Sequence, residues 1–159
     1  MRTRITTDIA DNEWIILRKQ FIPELSEEDH VNFLRAFAAT LPEFQAFIAL
    51  DNCSRAVGFA EASIRTEPVN GCRPGRVAFL EGIYVQPESR GRGYAKLLCL
   101  EVERWGVSQG CHEFASDVFD DDVDSIAAHQ ALGFVKTECS VFFRKPISSD
   151  AALTLTNSK

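Results

Sequence analysis

The chain has 159 residues and a formal net charge of −6, with 45% hydrophobic and 25% charged residues, which fits one soluble globular domain with its own core. The acidic balance argues against a general nucleic-acid binder, and no apolar run approaches the roughly 20 residues that a membrane span needs. Excess negative charge either concentrates a cationic substrate or serves solubility alone. Five cysteines stand at 53, 72, 99, 111 and 139, with no C-x-x-C pair and no signal-peptide pattern before them. An odd, scattered set reads as reduced thiols, so the cytoplasm is the expected compartment. The three histidines, at 30, 112 and 129, lack metal-ligand spacing to the cysteines, and no metal is expected.

In chain order, residues 2–6 alternate weakly and read as a short strand. Thr7 or Asp8 can cap a helix running to about Phe21, which Pro23 ends. Ser26 to Asp29 is close to a capping box and opens a second helix. That helix runs to about Thr40, with Val31, Leu34, Phe37 and Ala38 on one stripe and Pro42 closing it. Residues 45–50 and 56–65 read as a hairpin about a turn at 51–54. A loop with two Pro and two Gly follows over 66–75. Residues 76–85 form the third strand of the meander. A helix over 94–109 stops at Gly110. A strand over 113–118, a helix capped within 120–124 and ending at Leu132-Gly133, and a last strand over 134–145 complete the pattern. Residues 148–159 are small and polar and read as a mobile tail beyond a domain of 1–147. A meander followed by βαβαβ is an α+β fold with a mixed central sheet flanked by helices.

The segment Arg90-Gly91-Arg92-Gly93-Tyr94-Ala95 constrains function most. It joins a strand to a helix N-terminus, where the first N–H groups lack intrahelical partners and the dipole is positive. Two glycines let the backbone approach a ligand closely, and two arginines offer forked donors to phosphate oxygens. The expected ligand is a phosphate or pyrophosphate.

Arg90-x-x-Gly93-x-Ala95 after a strand resembles the R/Q-x-x-G-x-G/A motif of the GNAT superfamily of acyl-CoA-dependent N-acetyltransferases. His129-Gln130-Ala131-Leu132-Gly133-Phe134 is similar to that family's final-helix ending. Glu61 to Arg65, Val69-Asn70-Gly71, Phe79 to Val85 and Glu113 to Asp117 resemble the aminoglycoside 6'-N-acetyltransferases. The resemblance covers about residues 1–147 and implies a GNAT-like fold, acetyl-CoA as co-substrate, an aminoglycoside as acceptor, and a homodimer. It places the pyrophosphate on the amides of Arg90 to Ala95 and the pantetheine arm along Ile83, Tyr84 and Val85. It places Glu81 as base or water relay, with Asp117 and Glu138 beside the acceptor. Strand-end carboxylates otherwise only cap or meet solvent, and Glu138 is equally readable as an exposed strand acid.

His129 stands where many family members carry a tyrosine. Its imidazole either meets the leaving sulfur or is a satisfied structural group. Asp122 stands where an Asn often contacts the cofactor, and an ionised carboxylate only accepts hydrogen bonds. Ile22 and Pro68 occupy acceptor positions where related enzymes tend to carry aromatics. Ser140-Val141-Phe142-Phe143 lacks a tyrosine that related enzymes often have. The acidic run at 120–124 either draws in a polycation or only caps a helix. No cysteine lies in the glycine loop, so direct transfer without an acetyl-enzyme is expected. Two other readings stay open: an acetyltransferase for another amine, such as a polyamine or a protein N-terminus, and a non-catalytic acyl-CoA sensor.

Overall fold

The computed structural model describes residues 1–40 and 43–146. Strand β1 (Arg2–Thr6) is followed by helices α1 (Asn12–Phe21) and α2 (Glu27–Thr40). Strands β2 (Phe44–Leu50), β3 (Ala56–Arg65) and β4 (Val77–Val85) come next. Helix α3 (Tyr94–Ser108), strand β5 (Glu113–Ser116) and helix α4 (Val123–Ala131) complete it. The sheet order is β1-β2-β3-β4-β5, antiparallel through β4 and parallel between β4 and β5.

Alternation along the strands divides the core between the two faces. Ala46, Ile48, Leu50 and Phe59 face α1 and α2 and pack on Trp14, Ile15, Leu17 and Leu34. Phe47, Ala49, Ala60, Ala62 and Leu80 face α3 and pack on Tyr94, Leu98 and Val102. Each large apolar side chain buried this way contributes about 1.5–3 kcal/mol. Helix α3 lies close to the sheet because residue 106 is glycine: a Cβ there would sit 2.8 Å from the Ala78 methyl.

Local signals explain most boundaries. Ser26 and Asp29 form a reciprocal capping box, Asp29 N–H donating to Ser26 Oγ (3.1 Å) and Ser26 N–H to Asp29 (3.2 Å). The cap of α1 is Asp11 instead of Thr7 or Asp8. Asp8 is spent on a turn, accepting from Ala10 N–H (2.9 Å), and Asp11 takes Trp14 N–H (3.2 Å). The inward face of α2 centres on His30 and Leu34, while Ala38 is exposed. Pro42 and the expected tail lie outside the described residues.

The strand expected over 134–145 does not form. Phe134 packs on Phe114 (4.9 Å between centroids), and residues 135–146 then run without a ladder partner. Val141 is 78% exposed, and Phe142 and Phe143 are each 93% exposed. A strand exists only where another edge accepts its hydrogen bonds, and alternation does not say whose edge that is. Strand β5 also stops at Ser116, short of Val118. The second half is therefore βαβα instead of βαβαβ. Among the described residues no helix is long and apolar enough to cross a membrane, and no three His, Cys, Asp or Glu side chains group as metal ligands do.

Candidate active site

Strands β4 and β5 pair only from Val77↔Glu113 to Leu80↔Ser116, and there β5 ends. Ser116 Oγ donates to the Leu80 carbonyl (3.2 Å) at the last rung. Beyond it, the β4 backbone from Glu81 to Val85 has no β5 partner, so one strand edge is open to an extended ligand. On its other side β4 carries a bulge: Glu61 pairs with Gly82 and Ala62 with Leu80, leaving Glu81 without an opposing residue. Bulges re-aim side chains, and this one sits where the strands part.

The open edge leads into the glycine loop. Gly91 (φ 70°) and Gly93 (φ 86°) both adopt left-handed backbone, Gly93 as the N-cap of α3. Leu97 N–H bonds back to the Gly93 carbonyl (3.0 Å), so the amides of Tyr94, Ala95 and Lys96 precede the first such helical bond. A cleft of about 270 Å³ opens here, lined by Val85, Ser89, Arg90, Gly91, Gly93, Tyr94, Ala95, Lys96 and Leu132. Arg90 Nε donates to the Val85 carbonyl (3.0 Å), which holds the loop against the strand end. The Tyr94 ring belongs to the core beneath α3, leaving its backbone to face the cleft. Ser89, Lys96 and Leu132 are additions to the expected set. An exposed lysine in the first turn after such a loop was the available signal for Lys96.

On the α1 side of the sheet lies a buried polar cluster. Glu61 is 3% exposed and accepts from Trp14 Nε1–H (2.7 Å) and from the Arg18 guanidinium, itself 1% exposed. Burial pushes the Glu61 carboxyl upward, against the opposing pull of Arg18 and Trp14. The Arg18 guanidinium also lies over the Phe33 ring (5.0 Å). His30, fully buried beside it, contacts the Ile22 carbonyl through Nε2 (3.2 Å), and burial followed by Arg18 depresses its pKa. Glu81 is next along: Ser63 Oγ–H donates to Oε1 (2.5 Å), and Arg65 NH2 reaches Oε1 (3.1 Å) and Oε2 (2.9 Å).

The remaining candidates scatter. Asp117 is exposed one residue past β5, and Glu81 is likewise one residue past the last rung at Leu80↔Ser116. His129 Nδ1 lies 2.7 Å from the Ser125 carbonyl and therefore carries the proton, and Nε2 lies 3.1 Å from Ser116 Oγ, whose single proton is divided between Nε2 and the Leu80 carbonyl. Nδ1 serves a bond within α4 and Nε2 ties α4 to β5, which favours the structural reading of this residue. Asp122 caps α4, accepting from Ser125 N–H (2.9 Å), and that bond lowers its pKa. It does not line the cleft. Ile22 is half-buried at the end of α1, and Phe21 beside it is 40% exposed. Pro68 is exposed in the β3–β4 loop, and Glu138 is exposed on the unpaired segment. Cys99, on α3, is buried with its thiol pushed up to about 12 by that burial, a poor nucleophile.

Known proteins share this fold. An aminoglycoside N(6')-acetyltransferase type 1 of Serratia marcescens is 42% identical over 134 residues, covering 84% of this chain and 91% of that protein. One from Salmonella typhimurium is 44% identical over 138 residues, with 84% and 91% covered. Among solved structures, the aminoglycoside N-acetyltransferase AAC(6')-Iy in complex with CoA superposes with a TM-score of 0.80 at 40% identity, covering 92% of this chain and 95% of that one. AAC(6')-IG from Acinetobacter haemolyticus gives 0.82 at 36% identity, covering 93% and 100%. The model of the acetyltransferase (GNAT) family matches residues 10–134. With the diverging strands, the glycine loop and this match in agreement, the chain belongs to the GNAT acetyltransferase family.

Proposed function

We propose that this chain transfers the acetyl group of acetyl-CoA to the 6'-amine of aminoglycoside antibiotics, by direct attack in a ternary complex. The observation that carries the reading is the continuity of three parts: the open β4 edge from Glu81 to Val85, the left-handed glycine loop, and the free amides at the start of α3. The amides would take the pyrophosphate and the strand edge the pantetheine amides, which sets the thioester at Glu81. Relatives named for this reaction, and a solved AAC(6')-Iy bound to a CoA-S-monomethyl-acetylneamine bisubstrate analogue (TM-score 0.77, 40% identity), support the acceptor.

An alkyl ammonium resembles Lys, so freeing the amine at pH 7 costs about 4–5 kcal/mol. Glu81 lowers that cost by attracting the ammonium and taking its proton directly or through water. Oxygen Oε1 is filled by Ser63 and Arg65, and Oε2 keeps one lone-pair direction for the acceptor. Asp117 faces the acceptor from the other side of the mouth. Glu138 belongs to the same acceptor surface, and Ile22 and Pro68 shape it without an aromatic face. The leaving thiolate takes its proton from solvent at the mouth, since both His129 nitrogens are occupied.

Thiol release from acetyl-CoA, measured against kanamycin, tobramycin, spermidine and a peptide amine, tests this. CoA is expected to appear with the two aminoglycosides alone. Turnover confined to spermidine or the peptide would reassign the acceptor, and none with any amine would favour an acyl-CoA sensor.

The protein's setting follows from the same chemistry. Five free cysteines suit the reducing cytoplasm. A homodimer is supported by the exposed Val141-Phe142-Phe143 run, an apolar surface that a second copy would cover, and by β5 standing at the edge of the sheet. Light scattering is expected to give twice the chain mass for the wild type and the single chain mass for Phe142→Glu with Phe143→Glu. A monomeric wild type removes the proposal.

A further inference from the structure

We propose that Arg65, assisted by Ser63, is a positioning residue that clamps Glu81 toward the acceptor amine. The proposal rests on the acetyl-transfer reading above. The bulge leaves Glu81 with no opposing residue on β3, so the ladder does not fix its side chain. Ser63 and Arg65 stand two apart on β3 and share a face. Together they fill both positions of Oε1 and one of Oε2. The clamp is itself held, because the Arg65 guanidinium lies over the Phe79 ring, 3.3 Å from its centroid. Phe79 is a buried residue of β4, two before Glu81.

The burial is asymmetric. The Glu81 side chain is 6% exposed and that of Arg65 is 35% exposed. The carboxylate is thus the enclosed partner and the arginine reaches it from the rim. The other charged groups on this face, Glu61 and Arg18, pair with each other. Arg65 is therefore the cation assigned to Glu81. Its charge has a second consequence. Beside Glu81 it is neutralised, but with Glu81 uncharged it would repel a polycationic acceptor.

A double-mutant cycle reads both consequences. Arg65→Met is expected to lower kcat/KM for the aminoglycoside about tenfold or more while the KM for acetyl-CoA changes less than about twofold. Arg65→Lys keeps the charge but not the fork, and is expected to recover part of the loss. In the Glu81→Gln background the sign reverses: Arg65→Met is expected to leave kcat/KM unchanged or raise it, because only the repulsion is removed. A merely structural arginine would instead give two losses that multiply. Thermal unfolding of each variant reports folding; if Arg65→Met does not fold, Ser63→Ala, which removes one donor and no charge, is expected to lower kcat/KM in the wild type and leave it unchanged in the Glu81→Gln background. Multiplying losses, an Arg65→Met enzyme within twofold of wild type, or an equal loss toward acetyl-CoA overturns the clamp. A wild-type chain that binds acetyl-CoA but acetylates no aminoglycoside overturns the parent reading instead.

Discussion

Arg18→Met is expected to destabilise the fold by about 3–5 kcal/mol, because it leaves the Glu61 carboxylate buried without its cation. For a domain of this size a kcal/mol is worth about 2–4 °C, so the melting temperature should fall by about 6–20 °C. Adding Glu61→Gln should restore over half of the loss. Glutamine keeps an acceptor for Trp14 Nε1–H and carries no charge. If the single variant melts within about 2 °C of wild type, the pair is not holding α1 to the sheet. If the double variant melts no higher than the single one, the loss lies in the packing of the arginine stem and not in the orphaned charge.

The same substitution has a signed pH dependence. Burial already raises the Glu61 carboxyl in the folded chain, and Arg18 and Trp14 oppose that rise. Removing Arg18 widens the gap from the unfolded value. A carboxyl whose folded pKa is raised holds its proton more tightly in the native state than in the unfolded chain. The contribution to stability is then fully present below the ordinary carboxyl range and is lost as pH rises through the folded value. The Arg18→Met deficit should be smaller at pH 5 than at pH 8. An equal deficit at both would mean that solvent reaches Glu61 in the variant.

Much of this architecture is local and could be read from residues in a row. β3 occupies 56–65 as expected, the Ser26 capping box starts α2, and Gly110 (φ 78°) stops α3. The glycine loop was legible for the same reason: two left-handed positions before a helix need glycine, and their spacing shows in the chain. What stayed hidden depends on partners far apart in sequence. Arg18 and Glu61 are 43 residues apart, and an arginine on a helix and a glutamate on a strand read as solvated until the helix is laid on the sheet. The bulge at Glu81 is a property of β3–β4 register, so its clamp by Ser63 and Arg65 had no local signature beyond a shared strand face. Asp122 was visible as a helix-capping residue, and it caps α4 through Ser125 N–H. The missing last strand is the limiting case, since its pattern is a strand's and no edge among the described residues pairs with it.

Gly93 joins the fold to the chemistry, and it separates backbone strain from ligand binding. Gly93→Ala should cost about 1–2 kcal/mol, because residue 93 is left-handed at φ 86°. It should cost no more than that in packing, because nothing lies within 4 Å of the added Cβ. Gly110 supplies the matched control at the other end of α3, with φ 78° and an equally open Cβ position. Both alanine variants should therefore melt lower by a similar amount. Only residue 93 lines the cleft at the helix N-terminus, where its methyl would stand between the α3 amides and a pyrophosphate. Titration with CoA should show affinity falling about 10–100-fold for Gly93→Ala, or about 1.4–2.8 kcal/mol, and staying within twofold for Gly110→Ala. Equal CoA affinity in the two variants would mean that the pyrophosphate does not lie on the amides at the start of α3. The strand edge and Glu81 would then have to be re-registered against a donor that enters from elsewhere.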